Sequence, residues 1–293
     1  MPAVAHSAGM YAFGAELLWL ALTFAGALPY RGDVLGEVRI EQASKGDSLI
    51  EMARAFDLGF GEIAAANPDL DPFVPPQGAR IVIPTAWVVP EIVPGEVLVN
   101  LSEMRLYLLV GEDAGTSLIT FPVGIGVESA ATPLGTYRVV GKELNPAWHV
   151  PASVRTEEPD LPAVVPPGPE NPLGSHALRL SSGDILIHGT NKPWGVGRRV
   201  SHGCIRLYPE DIPVLYQLVP FGARVRIVRE PVKVGTSAGR VYVEVHDDPD
   251  ASADHLAEAT RLLERRELID RVDRPKLESA VREHTGAPVD VTR

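Results

Sequence analysis

Cysteine occurs once in the 293 residues, at Cys204. A single thiol closes no disulfide within the chain, so no covalent framework holds this fold. Runs of basic residues are missing too. The formal net charge is −11 and the pI is near 5.2. A chain without clustered Lys and Arg offers no general surface to phosphates, which excludes nucleic acid as a partner. Long apolar runs are absent with one exception, residues 17–28, "LLWLALTFAGAL". That run has the length of a signal-peptide core and is short for a membrane-spanning helix. The small residues "AGA" at 25–27 suit a signal peptidase. A basic leader is lacking, since only His6 precedes the run and Glu16 borders it. Residues 1–30 are therefore read as a signal-like segment, cleaved or retained as an anchor, that exports the chain; the alternative is a buried core helix.

What is present is a large apolar fraction, 45%, with 27 glycines and 27 prolines. That composition predicts a sizeable core, many turns and few long helices before the C-terminus. Residues 38–84 form a first unit. "VRIEQAS" reads as a strand, and Asp47 or Ser48 caps a helix running to Ala55. A second short helix, about 60–66, stops at Asn67-Pro68, because the residue before proline is driven out of the helical region. "GARIVIP" returns as a strand ending at Pro84. With "GDSL", "IAAANP" and "GARIVIP" in this order, the unit resembles a LysM module. The resemblance implies binding of N-acetylglucosamine-containing glycan; the alternative is a spacer that binds nothing.

Residues 85–95, "TAWVVPEIVPG", are proline-punctuated and read as an extended linker. From 96 to 230 the texture is mainly β. "EVLVNLSEMRLYLLV", "SLITFPVGIGV", "GTYRVVGKE" and "DILIHGT" alternate and carry β-branched residues between Gly- and Pro-rich turns, which predicts a sandwich or barrel. Residues 157–175, "EEPDLPAVVPPGPENPLGS", are too rich in proline for regular structure, and a loop this long reads as a lid. Residues 247–293 carry leucines at helical spacing amid charges and read as a helical tail packed against the β domain.

The lone cysteine lies in "VSHGCIRLYPEDI", residues 200–212. Two histidines are candidates to meet it: His188, ending the apolar strand "DILIHGT", and His202 in the same turn. A nucleophilic cysteine needs an imidazole to accept its proton. Gly203 lets backbone approach a substrate, adjacent N–H groups can cradle an oxyanion, and Arg206 offers a fork for a carboxylate. Three readings stay open on these residues: an inert structural thiol, a zinc site from His188, His202 and Cys204, and nucleophilic catalysis. Neither a second cysteine nor an HExxH motif completes a zinc set, and "GIG" at 124–126 lacks the third glycine of a dinucleotide fingerprint.

"HGTN" at 188–191 followed by "SHGCIR" at 201–206 resembles the signature of YkuD-type L,D-transpeptidases. "TPLGTYRV" at 132–139 supports this, while "NPAWHVPASVR" at 145–155 and "NPLGSHALRL" at 171–180 resemble the Gram-negative periplasmic branch. The likeness spans about 96–229. It implies a YkuD-type β-sandwich or barrel, Cys204 as nucleophile and His188 as general base, with Gly189 as the partner of His188. Ser201, His202 and Gly203 then shape the oxyanion turn. Arg206, where some branches carry asparagine, is the candidate for substrate-carboxylate recognition. The implied partners are peptidoglycan stem peptides and glycan, with an envelope lipoprotein as one acceptor. The implied compartment is the periplasm, and the implied reaction needs no metal or organic cofactor.

Overall fold

The structure is a computed structural model and describes residues 27–30, 32–111, 116–251 and 254–293. Most of the signal-like run lies outside the described residues. Its last residue does not: β1 (Leu28–Pro29) pairs antiparallel with an edge of the main sheet, Leu28 opposite Leu118. The segment expected at 1–30 therefore ends in a strand that joins the main sheet. No helix among the described residues is long and apolar enough to cross a membrane.

The first unit has the expected strand–helix–helix–strand order. After β2 (Val34–Gly36) come β3 (Arg39–Gln42), α1 (Leu49–Ala55), α2 (Phe60–Ala65) and β4 (Arg80–Ile83), with β3 and β4 antiparallel. Ser48 caps α1 by accepting from the Glu51 amide. Asn67 explains why α2 ends where it does. Its amide nitrogen donates to the Ile63 and Val82 carbonyls, and its oxygen accepts from the Val82 amide, so it stitches the helix end to β4. Leu49, Ala53, Leu58, Ile63, Ile81 and Ile83 close a small core. The following segment, expected at 85–95 as an extended linker, carries a strand. β5 (Ala86–Val88) pairs with β2, and all three of its residues are buried. Trp87 is the reason: so large an apolar surface is unfavourable in water and joins that core.

The main unit is mainly β, as expected. Its strands are β6 (Val97–Asn100), β7 (Arg105–Val110), β8 (Ser117–Pro122), β9 (Ile125–Gly126), β10 (Gly135–Leu144), β11 (Trp148–His149), β12 (Val164–Val165), β13 (His176–Leu180), β14 (Leu186–His188), β15 (Arg199–Ser201), β16 (Ile205–Arg206) and β17 (Arg224–Val228). Helix α3 (Ala152–Glu157) follows β11, and α4 (Asp211–Leu218) follows β16. Among the described residues, nine strands form one sheet in the order β1-β8-β7-β6-β17-β10-β13-β14-β16. A bridge between Gly124, just past β8, and Arg206 of the far strand draws the two ends together, so the sheet curls towards a barrel. Period-2 alternation sends Val97, Val99, Leu106, Leu108, Ile187, Ile205, Val225 and Ile227 into one core with Ile212 and Leu215 of α4.

The C-terminal residues are more than a tail. β18 (Val232–Ser237) and β19 (Arg240–Val245) form a hairpin, α5 (His255–Arg265) and α6 (Arg274–Glu283) follow, and β20 (Val289–Asp290) adds to β19. The two helices appear as expected, capped by Asp254 and Asp273. They pack on the hairpin rather than on the main sheet: Leu263, Leu277 and Ala280 meet Val234, Val241 and Val243 in a separate core. An amphipathic helix needs an apolar partner, and the hairpin's valine face supplies it.

Candidate active site

Strands β14 and β16 run parallel, with Ile187 opposite Ile205 and His188 opposite Arg206. The two isoleucines face the core. Side chains alternate along a strand, so Leu186, His188 and Arg206 lie on the other face, as does Cys204 at the entry to β16. This ladder brings the two sequence motifs together. The bond from the Leu207 amide to the His188 carbonyl, 2.9 Å, extends it.

His188 is 2% exposed. Burial, then the neighbouring Arg206 charge, push its pKa down to about 3, while the carbonyls of Gly189 and Leu173 offset part of that. Its Nδ1 stands 2.6 Å from the Gly189 carbonyl. A carbonyl only accepts, so Nδ1 carries the proton and Nε2 keeps its lone pair. The imidazole is thus a neutral base in a fixed tautomer at neutral pH. Gly189 has no room for a side chain, since a Cβ there would meet Ile212 Cγ2 at 2.9 Å.

Cys204 is partly buried, and its Sγ donates to the Asp184 carbonyl at 3.7 Å. Burial raises the thiol's pKa. The Leu186 backbone and the Arg206 and Arg179 charges pull it back in part, and Asp184 adds to the rise. At neutral pH the sulfur is therefore a thiol beside a neutral imidazole, not a preformed ion pair. The turn before it is set by Ser201, whose Oγ donates to the Cys204 carbonyl at 2.5 Å, and by Gly203 at φ 99°. That φ lies in the left-handed region, where a Cβ is strained.

The contact that the structure gives His202 is with Glu157 at the end of α3, Nε2 to Oε2 at 3.0 Å, and both are exposed. Arg206 exchanges backbone hydrogen bonds with Gly124, and its Nε is buried without a protein partner. Burial lowers the guanidinium's pKa, although it stays charged. Among the described residues, His188, His202 and Cys204 do not bring three ligand atoms within reach of one ion. The grouping that does is Glu103, Glu244 and His246 in the C-terminal joint. There the Lys233 ammonium already binds both carboxylates, at 2.8 and 2.7 Å.

The proline-rich segment lies against the site. β12, inside it, pairs with β11, which precedes it, so 157–175 is not wholly irregular. The amide of Asn171 donates to the Pro146, Val165 and Pro166 carbonyls. The amide of Asn191, in the first motif, donates to the Glu170 carbonyl at 3.1 Å. Sequence reasoning overlooked Asp184 and Arg179. The signal was present in "LRLSSGDILIH": a turn between two strands returns Asp184 beside the end of its own hairpin, and Arg179 donates to the Gly183 carbonyl across it.

Comparison with known proteins bears on this arrangement. The family model described as the L,D-transpeptidase catalytic domain matches residues 94–227. Over 262 residues the chain is 35% identical to the probable L,D-transpeptidase YcfS of Escherichia coli, covering 85% of this chain and 81% of that protein. It is 39% identical to the probable L,D-transpeptidase YbiS of the same organism, over 75% of this chain and 74% of the relative. The probable L,D-transpeptidase ErfK/SrfK of Salmonella typhimurium is 38% identical over 68% of this chain and 65% of its own length.

Proposed function

Since the chain belongs to the L,D-transpeptidase family, we propose that Cys204 is acylated by a peptidoglycan tetrapeptide stem with His188 as its base. The observation that carries this reading is the neutral, tautomer-fixed His188 on the same ladder face as Cys204. Nε2 takes the thiol proton as sulfur attacks the carbonyl of diaminopimelate at its bond to the terminal D-alanine. Backbone N–H groups of the turn at 201–204 hold the developing oxyanion, with Ser201 and Gly203 fixing its shape. The proton returns to the amine of the departing D-alanine, which leaves a thioester. An amine then attacks the thioester and releases the thiol. A second diaminopimelate gives a 3–3 crosslink, and a lipoprotein lysine gives an anchored lipoprotein.

Arg206 supplies an unspent donor for a stem carboxylate. His202 tethers the segment 157–175 through Glu157, which suits a lid that keeps water from the thioester. The unit at 38–84 would hold the glycan strand, and the signal-like segment would deliver the chain to the periplasm.

Two measurements test this. A carbapenem should add one covalent adduct to the intact protein and none to Cys204→Ala; an adduct retained in the variant removes Cys204 as nucleophile. Disaccharide-tetrapeptide should then yield a crosslinked dimer, or a protein adduct once an envelope lipoprotein is supplied. Tripeptide alone would mean hydrolysis and overturn the transfer reading.

A further inference from the structure

The segment that carries Cys204 is gripped on both sides by the N-terminal strand–helix–helix–strand unit. Before the cysteine, the Phe60 amide donates to the Val196 carbonyl at 3.3 Å and the Gly61 amide to the Gly197 carbonyl at 3.1 Å. The two backbones touch. A Cβ on Gly59 would stand 2.7 Å from Gly197 Cα, and one on Gly197 would stand 2.3 Å from the Phe60 nitrogen. The Arg198 guanidinium lies over the Phe60 ring, 3.8 Å from its centroid. After the cysteine, the Tyr208 hydroxyl donates to the Leu58 carbonyl at 3.0 Å, and Arg54 forks onto Glu210 at 2.7 and 2.8 Å.

Beneath these contacts, Arg105 on β7 forks onto Glu62 at 2.8 and 2.9 Å and donates to the Asp57 carbonyl at 2.7 Å. Both side chains of that ion pair are buried, so the unit cannot swing away without stranding two charges. A tethered binding module needs none of this. Glycine facing glycine serves close backbone approach, and that transmits position from one unit to the other.

We propose that the N-terminal unit is a positioning element of the catalytic centre. It grips residues 196–210 on both sides of the β14–β16 ladder and thereby fixes how Cys204 stands against His188. The proposal rests on Cys204 being the nucleophile and differs from glycan capture, because it applies equally to small substrates that carry no glycan chain.

Gly59 provides the test. Its own backbone, φ −79° and ψ 154°, accepts alanine, so Gly59→Ala acts chiefly by wedging the unit off Gly197, with a lesser crowding of Glu62 Oε2 at 3.3 Å. In the full chain, kcat on disaccharide-tetrapeptide and the rate of carbapenem acylation should both fall about 10- to 100-fold, the loss known for sub-ångström to ångström misplacement of reacting groups. KM should stay within about twofold. Arg54→Glu should lower the same rates, and adding Glu210→Arg should restore them, since the reversed pair remakes the grip. An unchanged acylation rate in Gly59→Ala overturns the proposal, as does a loss confined to KM. Should that variant not fold, failure of the reversed pair to restore the rate overturns it. A parent protein that is never acylated would instead remove the nucleophile reading.

Discussion

Two small units flank the main sheet, and they are joined to it by different physics. The N-terminal unit meets the catalytic segment backbone to backbone, at Gly59–Gly61 against Val196–Gly197, with one buried ion pair underneath. The C-terminal unit is joined through side-chain charge. Lys233 binds Glu103 and Glu244, His246 meets Glu244 at 2.6 Å, and the Tyr107 hydroxyl donates to Glu103 at 2.6 Å. Burial alone would depress the Lys233 ammonium's pKa, but the two carboxylates hold it above its ordinary value. Asp248 adds pairs to Arg199 and Arg229. Backbone contact fixes distance with almost no slack, whereas long charged side chains absorb displacement. The first joint therefore suits transmission of position and the second suits attachment.

The largest expected effect removes the group that the first joint serves. His188→Ala should lower transpeptidation about 10²–10⁴-fold while the protein stays folded, as steady-state rates and thermal melting would show. In the parent, the His188 pKa of about 3 means that the base form persists under mild acid. Acylation between pH 7 and 5 should therefore show no inflection near 6.5. Because the folded pKa lies below the ordinary value, the stability this neutral ring contributes is present above pH 6.5 and is lost as pH falls towards 3.

Next in size is the second joint. Lys233→Met leaves two carboxylates buried without their cation, and the expected cost is about 3–5 kcal/mol, read by urea unfolding. Its surviving folded fraction should acylate at close to the parent rate. A large fall in that rate would erase the distinction between the two joints.

The smallest effect concerns Asp211, at the start of α4 beside the N-terminal unit. Burial, with Asp57 and Glu210 nearby, raises its carboxyl pKa to about 8, and its Oδ2 is buried without a partner. The folded state thus favours the protonated acid, and that stability is lost as pH rises from about 4 through 8. Asp211→Asn should gain up to a few kcal/mol at pH 8 and nothing at pH 4, measured by melting at both. An equal gain at both would show that the titration plays no part.

Much of this was legible beforehand. The capping Ser48, the stop at Asn67-Pro68, the alternating strands and the two motifs around His188 and Cys204 are local signals, and the elements form where those signals stand. Trp87 was misjudged because prolines around it read as an extended linker, yet its ring belongs to a core made by residues far away. The hairpin at 232–245 went unassigned, so the helices after it lacked their true partner. His202 looked adjacent to the thiol in sequence, but the turn through Gly203 directs it to Glu157.

Residue identity and short-range chemistry thus came from the chain alone: one thiol, one histidine at a strand end, a glycine in the turn beside the thiol. Those depend on neighbours a few residues away, and caps and side-chain periodicity act at that range. The tertiary structure alone decided that β14 and β16 lie side by side, that His188 loses its charge, and that Gly59 sits on Gly197. Each of these depends on which surfaces are buried together, and burial is a property of the whole packed molecule that no short stretch encodes.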